Sequence, residues 1–334
     1  MEAIQKQNVS VIICMYTEAR WQEILNAVSS LRLQRVQPQE IIVVVDHNPT
    51  LFQRVMNEFV DVIVVENKGP RGLSGARNSG LAVASSELIA FLDDDATAEP
   101  DWLAYLLRCC EDSDVLGAGG MVEPHWIGAR PAWLPTEFYW VIGCSYQLSM
   151  DHPIEVRNPY GGCTCIRREV FTTVGGFRNG IGRIGARPLG GEETELAIRA
   201  KQRWPQRKFL YEPRAMIKHC VPPQRATWRY FFARCYAEGL SKAVISRYVG
   251  TKDALAAERR YTMKSLPQGI GRNVLQGLLH RDLSGFLRAG AIIAGLLVTA
   301  SGYFSGRVSQ RLELDLEGED IPRIDSPLST SGVR

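Results

Sequence analysis

Three consecutive aspartates, Asp93-Asp94-Asp95, follow the short apolar run ELIAFL. A cluster of this kind often forms a turn or caps the next helix, and Thr97 and Pro100 would help to begin one. Three adjacent carboxylates also repel one another unless hydrogen bonds or a cation hold them. Such hard oxygen ligands suit Mg²⁺ or Mn²⁺, which typically bind one or two carboxylates plus substrate phosphates. From these residues alone, both the turn and the metal site stay open.

A second acidic cluster, Glu192-Glu193, follows two glycines in the segment GGEETEL. An acidic first helical turn is favoured by the helix dipole, which would explain both residues without any chemistry. One glutamate can also serve as a general base if its neighbours pair elsewhere. His219, in AMIKHCVPPQR, follows a strand-like pattern. A lone histidine is usually structural, but beside an aspartate cluster it becomes a candidate metal ligand.

The elements that would position these residues are short, β-branched, uninterrupted apolar runs. Such runs are typical of parallel strands buried on both faces. A segment with helical periodicity joins the first two, which predicts a βαβ unit. The order of strands and helices predicts a doubly wound, mostly parallel α/β sheet. The four runs are VSVIIC, EIIVVV, VIVVE and ELIAFL.

Acidic and polar residues follow three of these four strands. Thr17 and Glu18 come after the first strand, Asp46 after the second and the aspartate cluster after the fourth. In open α/β sheets, ligands bind beyond the carboxyl ends of the strands. An acidic edge would repel a phosphate ligand, and a divalent metal removes that conflict.

One glycine motif points to a different class of protein. The segment GIGRIG satisfies the dinucleotide fingerprint by its letters, but no strand precedes it and no βαβ unit surrounds it. The first strand-to-helix turn, where that fingerprint belongs, contains no glycine. An oxidoreductase is therefore disfavoured.

Five segments, in this order, resemble the inverting family 2 glycosyltransferases, which have a GT-A fold: VSVIICMYTEAR, IIVVVDHN, RGLSGARNSG, FLDDDA and GGEETELAIR. The resemblance covers roughly residues 8–225. It implies that Thr17, Glu18 and Asp46 contact the nucleoside of a sugar nucleotide, usually uridine. It also implies nucleotide-binding positions for Arg77, near the diphosphate or nucleoside, and for Asp94.

The same resemblance assigns the catalytic and metal-binding residues. It implies that Asp93 approaches the ribose and that Asp95 and His219 hold a divalent metal, Mg²⁺ or Mn²⁺. Glu193 stands at the position of the general base. The family usually has Glu-Asp where this chain has Glu192-Glu193, so the carboxylate is displaced by one methylene. Glu192 is grouped with the residues on the sugar or acceptor side.

A narrower resemblance, to glucuronosyltransferases that act on polyprenyl (dolichyl) phosphate-linked glucose, rests on three further segments: ARPAWLPTEFYWVIGCSY, VRNPYGGCTCIRREVFTTVGGF and LVTASGYFSG. It implies a UDP-sugar donor, specifically UDP-glucuronate, and a lipid-linked or glycan acceptor. Arg157 and Arg167 are candidates for pairing the uronate carboxylate, because a guanidinium binds a carboxylate bidentately. No nucleic-acid partner is expected.

The charge of the chain is unevenly distributed. The 334 residues carry a net charge of +3, and 45% of them are hydrophobic, which excludes a disordered chain. Residues 1–198 sum to −9, residues 199–247 to +10, residues 248–306 to +4 and residues 307–334 to −2. The basic segments favour an anionic partner such as a membrane surface, although solvated helix faces would look the same.

Two segments in the second half of the chain have patterns that suit contact with a membrane. The helix expected at 225–248 carries one apolar stripe, which suits either docking on the catalytic core or contact with anionic lipid. The stripe consists of Trp228, Phe231, Phe232, Cys235, Leu240 and Val244. Residues 289–306 contain no charge for 18 residues, about the length that barely crosses a bilayer core. We expect this helix to associate with a membrane as a span, a re-entrant segment or an interfacial helix.

The predicted organisation has four parts. Residues 1–224 form the GT-A nucleotide-sugar-binding and catalytic domain, 225–265 an amphipathic helical extension, 266–306 an apolar membrane-associating region and 307–334 a polar, disordered tail. Eight cysteines without a disulfide pattern and no signal-peptide pattern predict a cytoplasmic catalytic domain on the cytoplasmic face of the cell membrane.

The predicted function is metal-dependent, inverting transfer of a sugar onto a polyprenyl-phosphate-linked sugar or similar glycan. The alternative is a non-catalytic subunit of a glycan assembly complex that binds nucleotide sugars, since a fold alone does not secure an activity. The acidic set of Asp93, Asp95 and Glu193 favours the enzyme.

Overall fold

A computed structural model describes residues 7–146, 151–183, 189–309 and 322. The described residues form one sheet with these strands: β1 (Gln7–Met15), β2 (Pro38–Asp46), β3 (Ile63–Asn67), β4 (Leu88–Asp93), β5 (Ala96–Ala98), β6 (Val115–Trp126), β7 (Ile154–Val156), β8 (Cys163–Arg167) and β9 (Lys208–Val221). The α-helices are α1 (Trp21–Arg32), α2 (Pro49–Glu58), α3 (Leu73–Val83), α4 (Trp102–Cys109), α5 (Arg168–Val174), α6 (Glu192–Arg203), α7 (Trp228–Val249), α8 (Thr251–Ala254), α9 (Ala256–Arg260), α10 (Leu266–His280) and α11 (Leu283–Val308). Short 3₁₀ helices cover Glu18–Arg20, Thr136–Ile142 and Pro223–Ala226, and a π-helical turn covers Tyr261–Ser265.

The sheet is mixed but mostly parallel, as predicted. Its strand order is β3-β2-β1-β4-β8-β6-β9-β5, with β7 paired to β9. The first four strands pair in parallel, and six of the nine strands in the described residues point the same way. The four strands predicted from the apolar runs are all present, with ends that differ by one or two residues.

Both faces of the sheet are covered, which explains why the strands read as continuous apolar runs. Along β1, Val11 and Ile13 join one hydrophobic cluster, whereas Ile12 joins the other. Helices α1, α2 and α4 contribute to the first cluster, and α3, α5 and α6 to the second. This doubly wound arrangement brings the carboxyl ends of β1, β2 and β4 to one edge of the sheet.

The aspartate cluster ends β4 and turns directly into β5. Thr97 lies within β5, so it does not begin a helix as the capping interpretation expected. The next helix, α4, begins only after Asp101. The short strand pairs antiparallel with β9, and this pairing sets Ala96 opposite His219.

The helix predicted at 225–248 is α7, and it packs on the first hydrophobic cluster of the sheet while leaving part of its stripe in solvent. Phe231 and Cys235 are fully buried, whereas Trp228 and Phe232 are each 37% exposed. Helix α11 packs along α7 at very short range. A side chain on Gly302 would overlap the carbonyl oxygen of Tyr236 in α7, so the contact requires glycine.

Helix α11 is the one helix among the described residues that is long and apolar enough to cross a membrane by length and composition, and 28% of its most apolar stretch is buried. The predicted disordered tail, 307–334, lies outside the described residues apart from 307–309 and 322. All eight cysteines lie in the described residues, and none forms a disulfide there.

Candidate active site

The carboxylates of Asp93 and Asp95 and the imidazole of His219 form one cluster. Asp93 ends β4, Asp95 follows in the turn, and the β5–β9 pairing brings in His219. One ligand atom of each residue lies within 4.8 Å of those of the other two. The two predicted metal ligands therefore meet, and Asp93, which was expected near the ribose, lies with them.

Cations surround the carboxylate of Asp95. His219 Nε2 lies 3.2 Å from Oδ1, Arg225 donates to Oδ2 at 3.2 Å, and Arg20 forms an ion pair with Oδ2 at 3.1 Å. Burial acts to raise the pKa of Asp95, but His219, Arg20 and Arg225 outweigh it and hold that pKa below its usual range. Asp95 is therefore ionised at neutral pH, as a metal ligand must be.

The neighbouring Asp94 has a different environment. It accepts one hydrogen bond from Arg20 at 2.8 Å, and its other oxygen is buried with no partner among the described residues. Burial, opposed by Arg20, raises the pKa of Asp94 to about 7. An acceptor oxygen without a donor beside a cavity is suited to a ligand hydroxyl, since buried polar groups normally find partners.

The cluster fits a divalent cation by the chemistry of its donors. Two carboxylates and one imidazole are ligands that Mn²⁺ accepts, and Mg²⁺ accepts the carboxylates. The carboxylate of Asp93 packs against Gly162, which precedes β8, and a side chain at Gly162 would overlap that carboxylate.

Arg77 lies beneath the acidic cluster rather than in open solvent. Its guanidinium is 3% exposed, donates to Glu192 at 2.8 Å and lies 3.8 Å from Asp93. The rings of Phe91 and Phe177 flank it, with centroids 5.4 and 5.2 Å away. Arg77 thus ties the end of β4 to the start of α6.

Helix α6 begins at Glu192, directly after Gly191, whose φ of 95° is left-handed, and its first turn carries the acidic residues Glu192, Glu193 and Glu195. Glu192 pairs with Arg77, and the fully buried Glu195 pairs with Arg178 and Arg199. Glu192 and Glu195 are therefore explained by their ion pairs and by the helix dipole, without any role in catalysis.

Glu193 is the member of this turn without a salt bridge to any described residue, and it lines the main cavity. Burial, together with the charge of Glu192, raises the pKa of Glu193 to about 8. A carboxylate with such a pKa is a stronger base than an exposed glutamate, which suits proton abstraction near neutral pH.

The residues expected at the nucleoside lie at the same sheet edge but differ in exposure. Asp46 is buried, lines the cavity and accepts hydrogen bonds from Asn67 Nδ2 at 2.6 Å and from the Gly72 amide at 3.0 Å. Thr17 caps the 3₁₀ helix Glu18–Arg20, and Glu18 lies 3.8 Å from Arg54. Within the described chain, neither Thr17 nor Glu18 lines the cavity.

The structure separates the two candidate uronate ligands. Arg157 lines the cavity and donates to Glu258 at 2.6 Å. Arg167 is instead occupied by main-chain carbonyls, donating to Val115 at 2.7 Å and to Asp112 at 3.0 Å, and it is not among the described residues that line the cavity.

Sequence reasoning missed Arg20 and Arg225, the two arginines on Asp95. Both stand in segments that were considered for other reasons, Arg20 after Thr17-Glu18 and Arg225 after the prolines that follow His219. No local pattern signals that they meet, because β4, β9 and the first strand-to-helix turn converge only in the fold.

Within the part of the chain that the structure describes, one cavity of about 1500 Å³ is lined by the aspartate cluster, His219, Asp46, Arg77, Glu193 and Arg157, but not by Thr17, Glu18 or Arg167. Its far wall is formed by the C-terminal helices, including Lys242 of α7 and Leu296, Tyr303 and Phe304 of α11. The cavity is therefore acidic at the sheet edge and more apolar at the helices, where the acidic and basic side chains that line it are equal in number.

Comparison with known proteins identifies the family. The profile of the family described as "Glycosyl transferase family 2" matches residues 10–175. A glucosyl-dolichyl phosphate glucuronosyltransferase of Haloferax volcanii is 34% identical over 241 residues, covering 71% of this chain and 77% of that protein. The chain belongs to glycosyl transferase family 2. The predicted glycosyltransferase is therefore confirmed.

Two further similarities agree with this family 2 glycosyltransferase. The succinoglycan biosynthesis protein ExoM of Rhizobium meliloti is 23% identical over 243 residues, covering 70% of this chain and 73% of that protein. The Pyrobaculum calidifontis mannosyltransferase PcManGT, solved with GDP-Man and Mn²⁺, aligns with a TM-score of 0.55 and 17% identity over 90% of this chain and 88% of that chain. The predicted GT-A fold is confirmed.

Proposed function

We propose that this glycosyltransferase moves glucuronate from UDP-glucuronate onto a polyprenyl-phosphate-linked sugar at a membrane surface. The observation that carries the proposal is the 34% identity to a glucosyl-dolichyl phosphate glucuronosyltransferase along most of both chains. The cavity supports it, because its acidic end suits a metal-bound nucleotide sugar and its helical end suits an amphiphilic acceptor.

The donor end would use the residues at the sheet edge. We assign Asp46, together with Thr17 and Glu18 from the same sheet edge, to the nucleoside, and Asp94 to a ribose hydroxyl through its unpartnered oxygen. Asp93, Asp95 and His219 would hold the divalent cation. When bound, this cation supplies positive charge that stabilises the departing diphosphate.

Glu193 would act on the acceptor. Its carboxylate accepts the proton of the acceptor hydroxyl, and the oxygen of that hydroxyl forms a bond to the anomeric carbon. The bond from that carbon to the diphosphate breaks, and its electron pair leaves with UDP. A single displacement of this kind inverts the configuration, in contrast to the double displacement of retaining enzymes.

Arg157 is our candidate for the uronate carboxylate. It lines the cavity and already binds one carboxylate, that of Glu258, at 2.6 Å. Exchange of Glu258 for a substrate carboxylate would conserve the charge-assisted hydrogen bond. Arg167 has its donors engaged with the main chain, so we do not assign it a substrate.

Membrane association follows from the same proposal. A lipid-linked acceptor resides in a bilayer, and the apolar helix α11 borders the cavity. We retain the cytoplasmic face as the proposed side and residues 1–224 as the proposed catalytic domain, followed by the helical parts 225–265 and 266–306.

The experiment is a donor competition with purified full-length protein, Mn²⁺ and a polyprenyl-phosphate-linked glucose acceptor. Equal amounts of UDP-glucuronate and UDP-glucose are supplied, and the lipid product is identified by mass spectrometry. We expect a uronate-containing product, formed roughly 10²–10⁴-fold more slowly by Glu193→Gln. Preferred transfer of glucose would refute the donor assignment, and transfer to water-soluble glycans alone would refute the acceptor assignment.

A further inference from the structure

The hairpin of α10 and α11 carries a large exposed apolar surface. We call it the apolar face and define it by Leu278, Leu279, Leu283, Phe286, Leu297 and Phe304. Each of these side chains is at least 42% exposed. At 3.6 residues per turn, the four that belong to α11 fall on one side of that helix. Exposed apolar surface of this extent marks an interaction site.

The opposite side of α11 is fixed to the protein. Side chains at Gly302 or Gly306 would overlap the main chain of Tyr236 or crowd Ala243, and one at Gly295 would overlap Phe138. A helix that crossed the bilayer would have to leave these contacts, since its whole circumference would then meet lipid or other spans. The packing therefore favours a helix that lies in the membrane plane.

The charges around the apolar face match a lipid surface with anionic headgroups. Exposed Lys264, Arg281 and Arg307 alternate along the chain with exposed apolar residues of the hairpin and its flanks. Residues 248–306 contain seven basic and three acidic residues. Basic residues beside an exposed apolar helix face are the pattern of interfacial binding to anionic membranes.

The catalytic cavity reaches this surface at Phe304. Leu296, Thr299, Ala300 and Tyr303 of α11 line the cavity, as does Phe304. Phe304 is also 67% exposed, so it belongs to both the cavity wall and the apolar face.

We infer that the α10–α11 hairpin docks in the plane of an anionic leaflet and that the cavity opens sideways into that leaflet beside Phe304. A polyprenyl-linked acceptor then enters the site with its chain still in the bilayer. The identity of the acceptor rests on the proposed function, whereas the docking does not.

Docking is tested by flotation of the full-length protein with vesicles of phosphatidylglycerol or of phosphatidylcholine. We expect the wild type to float with phosphatidylglycerol vesicles and to be released by an alkaline carbonate wash. The double variant Leu278→Glu/Leu297→Glu should bind at least roughly tenfold more weakly, because two leucines that would be buried in the leaflet are lost. The matched control is Val60→Glu, which is 95% exposed in the N-terminal half, and it should bind like the wild type.

Three outcomes would overturn docking in the plane. The first is equal flotation of the wild type and the double variant, and the second is resistance of the wild type to the carbonate wash. The third is a wild type that binds no vesicles but self-associates, with the self-association lost in the double variant. Circular dichroism of the double variant guards against misfolding. If it does not fold, Leu278→Ser and Leu297→Ser are tested singly.

Sideways entry is tested by comparing a long-chain acceptor embedded in vesicles with a short-chain, water-soluble analogue of the same head group. We expect Leu278→Glu/Leu297→Glu to lose transfer to the embedded acceptor at least roughly tenfold and to keep transfer to the soluble analogue. Equal effects on both acceptors would overturn sideways entry. Transfer to neither acceptor by the wild type would refute the proposed function, and flotation would still decide the docking.

Discussion

Arg77 donates to Glu192 over 2.8 Å and so fastens the first turn of α6 to α3, directly beneath Asp93. Both side chains are at most 5% exposed. Helices α3 and α6 therefore share one buried ion pair beside Asp93, and a change in either partner is expected to disturb both the end of β4 and the first turn of α6.

Substitution of Arg77 by Met should lower the free energy of unfolding by about 3 kcal/mol, because Glu192 would keep a buried charge without a partner. Replacing both partners, in Arg77→Met/Glu192→Met, should recover part of that loss. Urea unfolding of the wild type, both single variants and the double variant measures the coupling. Additive effects would show that the pair does not join the two helices energetically.

Transfer should depend on pH through Glu193. Its pKa is raised to about 8, and a base acts in its ionised form, so the rate should increase as the pH rises through about 8 and then level off. Glu193→Gln should reduce kcat by roughly 10²–10⁴-fold with donor affinity kept. Exposed Glu87→Gln is the matched control.

The same pKa shift has a consequence for stability. The folded state holds the Glu193 proton more tightly than the unfolded chain, so the contribution of Glu193 is full below its ordinary pKa of 4.5 and declines as the pH rises towards about 8. Stability measured across this range should fall less steeply in Glu193→Gln. An unchanged slope would contradict the raised pKa.

Divalent metal should stabilise the protein through Asp95 and His219. With Mn²⁺ at about a hundred times its Kd, mass action predicts about 2.7 kcal/mol of stabilisation, seen as a rise in Tm. The rise should disappear in His219→Ala and persist in His152→Ala, whose side chain is 68% exposed and outside the cluster. A rise of equal size in both variants would place the metal elsewhere.

Arg157 should set the choice of donor. In Arg157→Gln, the ratio of kcat/KM for UDP-glucuronate to that for UDP-glucose should fall roughly tenfold or more, since a charge-assisted hydrogen bond is lost. Arg167→Gln should leave this ratio unchanged, because its donors hold main-chain carbonyls away from the cavity. Equal ratios in Arg157→Gln and the wild type would count against a uronate contact.

The contact between α7 and α11 should tolerate no side chain at Gly302. Gly302→Val should cost about 1–3 kcal/mol of stability, because a Cβ there meets the main chain of Tyr236. In the same helix, nothing lies within 4 Å of a Cβ at Gly290, so Gly290→Ala should stabilise by up to about 1 kcal/mol through helix propensity. Thermal unfolding of both variants checks the contrast.

The part of the fold that the sequence predicts best is the first half. Its strands are buried on both faces, so they appear in the sequence as short, uninterrupted β-branched runs, and their carboxyl ends fix where Asp46 and Asp93 must lie. The meeting of Asp95 with His219 is different, because it depends on the antiparallel register between β5 and a strand far away in the chain. Local patterns carry no information on such a register.

Local sequence patterns also cannot predict the environment of an individual side chain. Arg157 and Arg167 are the same residue type in neighbouring segments, yet one faces the cavity and the other holds carbonyls of the β6 region. Likewise, the uncharged stretch 289–306 indicates a helix, but only the fold shows that Gly295 and Gly302 are packed while Gly290 is open.

Because Phe304 stands at once in the cavity wall and on the exposed side of α11, the proposed docking would change how the enzyme finds its acceptor. The enzyme and its acceptor would then meet by diffusion within the membrane plane instead of through bulk solution, and confinement to that plane would set the effective concentration of the acceptor. Turnover would then follow the mole fraction of acceptor among the lipids and fall on dilution with inert lipid, even while the bulk concentrations of enzyme and acceptor stay constant.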